Sequence, residues 1–206
     1  MASTIKQSMI ERTAVLLAKK GLQGTSFSEV LEASGAPRGS LYHHFPGGKE
    51  ELVLAALHVA SDRAMDVLNR LEGRPATEIA QAFFELWRMV LSKSNFEAGC
   101  SVVAVTVAAD APALLESTAE IFRAWRTRLG ELLNKGGVPA ERASALSAML
   151  IAASEGAVIL SRAERSFEPF DLVAHSQLAV IRAAIGGNSN VKKRISKKAQ
   201  TPPSPP

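Results

Sequence analysis

Arg38, Ser40, Tyr42 and His43, with Lys49 shortly after them, put cations and hydrogen-bond donors into one short stretch that holds no nucleophile–base pair. Arg38 and Tyr42 are four apart, as are Gly39 and His43, so a helix over residues 37–44 would set both pairs on one side. Leu41 and Phe45, also four apart, would form the opposite, inward side, with His44 at its edge. A short helix that turns Arg, Gly, Ser, Tyr and His outward packs poorly and suits an anionic surface.

Other chemistries find less support. Cys100 has no histidine at a telling position and reads as a buried structural thiol. His58 and Asp62 lie one helical turn apart, but without further ligands they read as a solvated face rather than a metal pair. There is no phosphate-binding P-loop and no G-x-G-x-x-G fingerprint. No catalytic residues, metal or cofactor are expected, and an enzyme is the remotest of the function classes.

The elements that must position the outward side chains are marked by strong local signals. Ser26 and Glu29 have the spacing of a capping box, in which each side chain satisfies a free backbone N–H of the other. Phe27, Val30 and Leu31 then give a short helix its buried face. Gly35 stands where a helix closes in the left-handed conformation, which glycine adopts without steric cost. Ala36-Pro37 restarts the chain, because the residue before proline is pushed extended and proline suits a first helical position. Helix, glycine-containing turn, helix is the DNA-binding helix-turn-helix arrangement. In that setting Arg38 is the candidate for bidentate contact to a guanine edge, Gly39 permits close backbone approach, and His43 suits either base or phosphate.

The segment GAPRGSLYHHFPGGKEEL resembles the helix-turn-helix of the TetR/AcrR family of bacterial transcriptional regulators, whose recognition helix ends in LYHHF before a lysine-led helix. It resembles in particular the LmrA/YxaF-like subgroup, as does GCSVVAVTVAAD further on. Gly47-Gly48 departs from the commoner pattern, in which one small residue separates the proline from the lysine. The resemblance implies phosphate contacts from Tyr42, from the backbone of Lys49, and from the amino end of the first motif helix at Thr25-Ser26. Pro37 would open the recognition helix.

Composition agrees with one substantial helical protein. The chain has 206 residues, 47% of them hydrophobic and only 5% aromatic, with Ala and Leu abundant. No unbroken apolar run of membrane-spanning length and no secretory leader are read from the sequence, and the single cysteine fits a reducing, cytoplasmic setting. The net charge of +4 is uneven: residues 187–206 hold five Lys/Arg and no acid, which leaves the remainder at −1. Residues 1–50 carry six basic against four acidic residues, and residues 51–186 are net acidic. Positive charge at the ends suits a protein that offers one part to nucleic acid.

Along the chain, a first helix is predicted over 5–20 with Ile5, Met9, Thr13, Leu16 and Leu17 on one stripe. A long helix over 49–71 would join the head to a body. Further helices follow over 77–93, around 100–109 (where four valines would also permit a strand), 112–135, 138–165 and from 169 to Gly186-Gly187. The last two are apolar nearly all round, and such helices must be covered all round. A second copy is the simplest cover, giving a homodimer through a two-fold four-helix interface. Two heads about 34–36 Å apart would then read the half-sites of a palindromic operator in double-stranded DNA. The tail, with KKRISKK and TPPSPP, is disordered by composition and would add salt-sensitive DNA affinity.

The expected fold is all-α: a helix-turn-helix head over 1–50, a ligand-binding and dimerisation body over 51–186, and a basic, Pro-rich tail over 187–206, with about nine helices. The body is expected to hold a pocket for a small, mostly apolar effector, lined from Met65, Phe83, Trp87, Cys100, Phe122, Trp125 and Met149. Ser101, Thr106, Glu155 or Arg123 would be its polar fixings. The reading is a dimeric repressor released from its operator by that effector. An effector-independent DNA-binding protein with a solid core, or a regulator switched through the Cys100 thiol, are the alternatives.

Overall fold

A computed structural model describes residues 2–199, with side-chain packing from residue 4 to residue 186. Among these residues there are nine helices and no strand: α1 Ala2–Lys20, α2 Phe27–Ser34, α3 Ser40–His44, α4 Gly48–Asn69, α5 Ala76–Lys93, α6 Ser101–Thr106, α7 Pro112–Lys135, α8 Ala140–Glu164 and α9 Glu168–Ala199. The valine-rich segment is therefore helical, since no partner strand exists to take its backbone hydrogen bonds. α9 runs past Gly186-Gly187, where it was expected to end. Residues 188–199 contain no proline, and their Lys, Arg and Ala are good helix formers. The expected disordered tail over 187–206 otherwise lies outside the described residues.

The proline and glycine signals act as the sequence suggests. The Ser26 Oγ accepts from the Glu29 N–H, the Glu29 carboxylate accepts from the Ser26 N–H, and Gly35 closes α2 at φ 67°. Pro75, Pro112 and Pro139 each stand at a helix start.

Two buried clusters organise the molecule. One gathers Met9, Leu17, Val30, Phe45, Leu52, Val53 and Leu57 of the head together with Val102, Val105, Leu114 and Trp125 of α6 and α7. The other lies between α5, α7, α8 and α9 around Phe84, Leu129, Leu150, Phe170 and Ile181. The head core is thus continuous with the near end of the body. α4 takes part in both, with Leu52, Val53, Ala56 and Leu57 in the first cluster and Leu68 in the second. Its far end is pinned to α7, where Arg128 donates to the Asn69 side chain at 2.8 Å and pairs with Glu72 at 2.5 Å, while Lys135 pairs with Glu72 at 2.7 Å.

A second connection joins head and body away from α4. The Gly99 N–H donates to the Ala18 carbonyl at 2.8 Å, and Lys19 pairs with Glu97 at 3.0 Å. From α8, the Arg162 guanidinium donates to the Glu97 carbonyl at 2.9 Å and the Lys19 carbonyl at 3.3 Å. A Cβ on residue 99 would sit 2.8 Å from an Arg162 nitrogen, so a side chain there would push the flexible guanidinium aside.

α8 is long and apolar enough, by length and composition, to cross a membrane, with mean hydropathy 1.7 over its most apolar window. In the fold it packs against α5, α7 and α9. Leu146, Leu150, Ala157 and Val158 are buried, whereas Met149, Ile159 and Leu160 are exposed.

Candidate nucleic-acid interface and ligand cavity

α3 presents the expected outward face. Leu41 and Phe45 are buried in the head, while Tyr42 is 70% exposed and His43 is exposed beside it. The Tyr42 ring meets Phe27 edge-on at 6.0 Å, which braces it against the start of α2. His44 lies at the edge of the core, half-buried and edge-on to His43 at 5.0 Å.

The helix begins later than the sequence predicts. Pro37 lies outside the helix, Arg38 and Gly39 form a turn with the Ser40 N–H donating to the Pro37 carbonyl at 2.9 Å, and α3 starts at Ser40 with no side-chain cap. Gly39 weakens helix at that point, and the turn closes without it. Pro37, Arg38 and Gly39 are exposed and Ser40 is half-buried, so all four border the α3 face. Arg38 reaches it from the turn rather than from one helical stripe with Tyr42.

Thr25 and Lys49 both turn their side chains into the protein. Thr25 is only 2% exposed; its hydroxyl donates to the Gly21 carbonyl at 2.7 Å and its N–H to the Leu22 carbonyl at 3.4 Å. Thr25 therefore closes the end of α1, and Ser26 alone of that pair is exposed. Lys49 is half-buried and its ammonium donates to the Leu22 carbonyl at 2.8 Å. Its side chain is committed to the head, so any phosphate contact from Lys49 falls to its main-chain N–H in the first turn of α4, where a helix start favours anions. The Gly47 N–H next to it donates to Glu51. The Glu29 carboxyl is held down at about 2 by Lys20, which pairs with it at 2.6 Å, and by the Ser26 N–H.

A cavity of about 230 Å³ lies between α4, α5, α7 and α8, with the start of α6 also in its wall. Of the residues named for a pocket, Phe83, Trp87, Cys100 and Trp125 line this cavity, joined by apolar residues not named for it, among them Val67, Leu86, Val90 and Ile151. Leu86 and Val90 recur with Phe83 and Trp87 at helical spacing, and spacing alone does not distinguish lining from packing. Ser101 and Glu155 supply polar groups, and Arg63 of α4 stands in the wall while pairing with Glu11 of α1 at 3.2 Å.

Three expected lining residues are elsewhere. Met65 is packed between the two core clusters. Phe122, although edge-on to Trp125 at 5.7 Å, lines a groove between α7 and α8 with Arg123 and Arg126. Met149 is 44% exposed on α8, since neighbouring residues on a helix point about 100° apart and Leu150 takes the inward direction. Of the expected polar fixings, Arg123 belongs to that outer groove, and the Thr106 hydroxyl donates to the Val102 carbonyl at 2.8 Å.

The electrostatics of the cavity centre on Glu155. Burial raises its carboxyl from the ordinary 4.5 to about 7, and the neighbouring Cys100 thiol pulls the other way. Burial, followed by the Glu155 charge, pushes the Cys100 thiol well above its usual value, so it stays protonated. Cys100 is 8% exposed and its sulfur accepts from the Val103 N–H at the start of α6. A protonated, enclosed thiol is a poor redox trigger, which counts against the thiol-switch alternative.

Comparisons with known proteins give one answer. Residues 9–56 match the family model described as bacterial regulatory proteins, tetR family, and residues 75–176 match that of the C-terminal domain of LmrA/YxaF-like transcriptional regulators. An uncharacterized HTH-type transcriptional regulator of Mycobacterium tuberculosis (strain H37Rv) is 34% identical over 181 residues, covering 84% of this chain and 91% of the relative. The HTH-type transcriptional regulator LmrA of Bacillus subtilis is 28% identical over 170 residues, covering 80% of this chain and 89% of that one. In fold, a regulatory protein TetR from Rhodobacter sphaeroides superposes with a TM-score of 0.77 at 21% identity, over 84% of this chain and 96% of the other.

Proposed function

The chain belongs to the TetR family of bacterial transcriptional regulators, in its LmrA/YxaF-like subgroup, and from that premise we propose that it is a cytoplasmic, homodimeric repressor released from a palindromic operator by a small effector bound in the body. The observation that carries this reading is the α3 face: Leu41 and Phe45 seat the helix in the head and leave Tyr42 and His43 outside. Tyr42, Ser26 and the N–H of Lys49 hold phosphates and set the register, while Arg38 reads a base edge from the turn, helped by His43. The head comprises residues 1–50 and the body residues 51–186.

The dimer reading is supported by an uncovered apolar stripe. On α8 it follows Ala145, Met149, Ala152, Gly156 and Leu160, and on α9 Leu172, Ala179 and Ala183, all exposed in the single chain. Pairing these stripes across a two-fold axis buries both and sets the second head. The effector acts by binding one head spacing more tightly than the other, and α4, shared between both cores, carries the difference. Footprinting of the DNA beside this protein's own gene tests the whole reading. A protected palindrome that is lost with Tyr42→Ala is expected; no protected site, or one indifferent to Tyr42, overturns it.

A further inference from the structure

The cavity holds a single carboxyl in a wall that is otherwise almost entirely apolar. Glu155 lines it from α8, together with Phe83, Trp87 and Trp125. The indole nitrogens of both tryptophans are buried without a hydrogen-bond partner and have no accessible surface. What the tryptophans present to the void is therefore ring carbon rather than a hydrogen-bond donor. No cation pairs with Glu155 within 4 Å among the described residues, and Arg63, the one cation in the wall, is held by Glu11 at 3.2 Å.

Given the reading of the cavity as the effector site, on which this rests, we propose that the effector is a small organic cation, an amine or quaternary ammonium on an apolar body, whose charge sits between the Glu155 carboxylate and the aromatic rings. Such a ligand supplies the close ionic partner that Glu155, half-buried between the cavity and the outer groove, lacks. The rings add attraction for a desolvated cation that they do not offer a neutral molecule of the same shape. The volume of about 230 Å³ admits a body of one or two small rings and no more. The carboxyl, raised to about 7 by burial, is brought to its charged form by the cation, so binding releases a proton. The charged and titratable groups facing it are Arg63 of α4, the Cys100 thiol at the start of α6, and Arg123 and Arg126 of α7 across the outer groove. α5 places none in either wall.

The test uses phenyltrimethylammonium, whose charge is independent of pH, against its neutral isostere tert-butylbenzene. Trp87 and Trp125 are the chain's two tryptophans and both stand in the wall, so quenching of intrinsic fluorescence reports occupancy of this cavity. The cation should bind about thirtyfold more tightly at about pH 8.5 than at about pH 5.5, levelling off above about pH 8, while tert-butylbenzene shows no pH dependence. Glu155→Gln should weaken the cation at least about tenfold at high pH, flatten its profile and leave tert-butylbenzene unchanged. Should that variant not fold, the pH profiles of the two probes on the unaltered protein decide. Equal, flat binding of both probes overturns the cation class and leaves the cavity as an effector site; binding of neither overturns both.

Discussion

At the scale of single residues, Glu155 is the group whose chemistry departs furthest from that of a surface carboxylate. Its folded-state value, about 7, lies above the ordinary 4.5, so the folded protein binds the extra proton between those limits. Stability is then greatest below about pH 4.5, falls as pH rises through that window, and is fully reduced above about 7. Glu155→Gln removes the dependence and should stabilise the protein by about 3 kcal/mol at pH 8 with little effect at pH 4, read from urea unfolding at both pH values. On the DNA side, Tyr42→Ala should weaken binding to all sequences by about 1.5–3 kcal/mol, as expected for a hydrogen bond to a charged group. Arg38→Ala should cost about 1–3 kcal/mol and also relax preference at one base position. Competition titrations against a set of single-base operator variants separate the two. An Arg38 variant that keeps its full base preference removes the residue from base reading.

At the scale of elements, α4 joins head to body through shared packing, and the Gly99–Ala18 and Arg162 hydrogen bonds join them again through α1 and α8. The second connection is polar and half-exposed, so its worth is modest, about 1 kcal/mol for a charge-assisted bond near the surface. Arg162→Ala should therefore lower stability only slightly. It should, however, speed amide exchange at residues 18–20 and 97–99 selectively, measured by hydrogen–deuterium exchange and compared with the centre of α7 as an internal standard. Uniform exchange changes would mean that Arg162 is ordinary surface.

For the whole molecule, the question is what covers the α8 and α9 stripe. Ile159 and Leu160 are 56% and 49% exposed and Leu172 is 66% exposed, a concentration of apolar surface that a lone chain rarely leaves to water. The paired change Leu160→Glu with Leu172→Glu should leave the helical circular dichroism intact while converting the proposed dimer to a monomer in analytical ultracentrifugation. Operator affinity should fall with it by several hundredfold or more, because a single head makes too few contacts for tight binding. A variant that remains dimeric places the interface elsewhere.

What this sequence determined unaided was whatever depends on neighbours within a few positions. The Ser26/Glu29 capping box, the left-handed Gly35 and the prolines at the starts of α5, α7 and α8 act through local backbone chemistry, and each does in the fold what its spacing implies. The helix-turn-helix and the inward setting of Leu41 and Phe45 followed from those signals, which is why the family was legible. Tertiary structure alone decided where polar side chains and large rings are spent. Thr25 and Lys49 turn to carbonyls of the segment after α1, contacts that span four and 27 positions, and only the packed head makes the second available. Trp125 lines the cavity whereas Phe122, three residues earlier, does not, because α7 touches α4, α6 and α8 at once and periodicity cannot say which neighbour each side meets. The same holds for α8: a helix apolar on every side carries no phase, so the fates of Leu150, Met149 and Glu155 were settled only when its neighbours took their places.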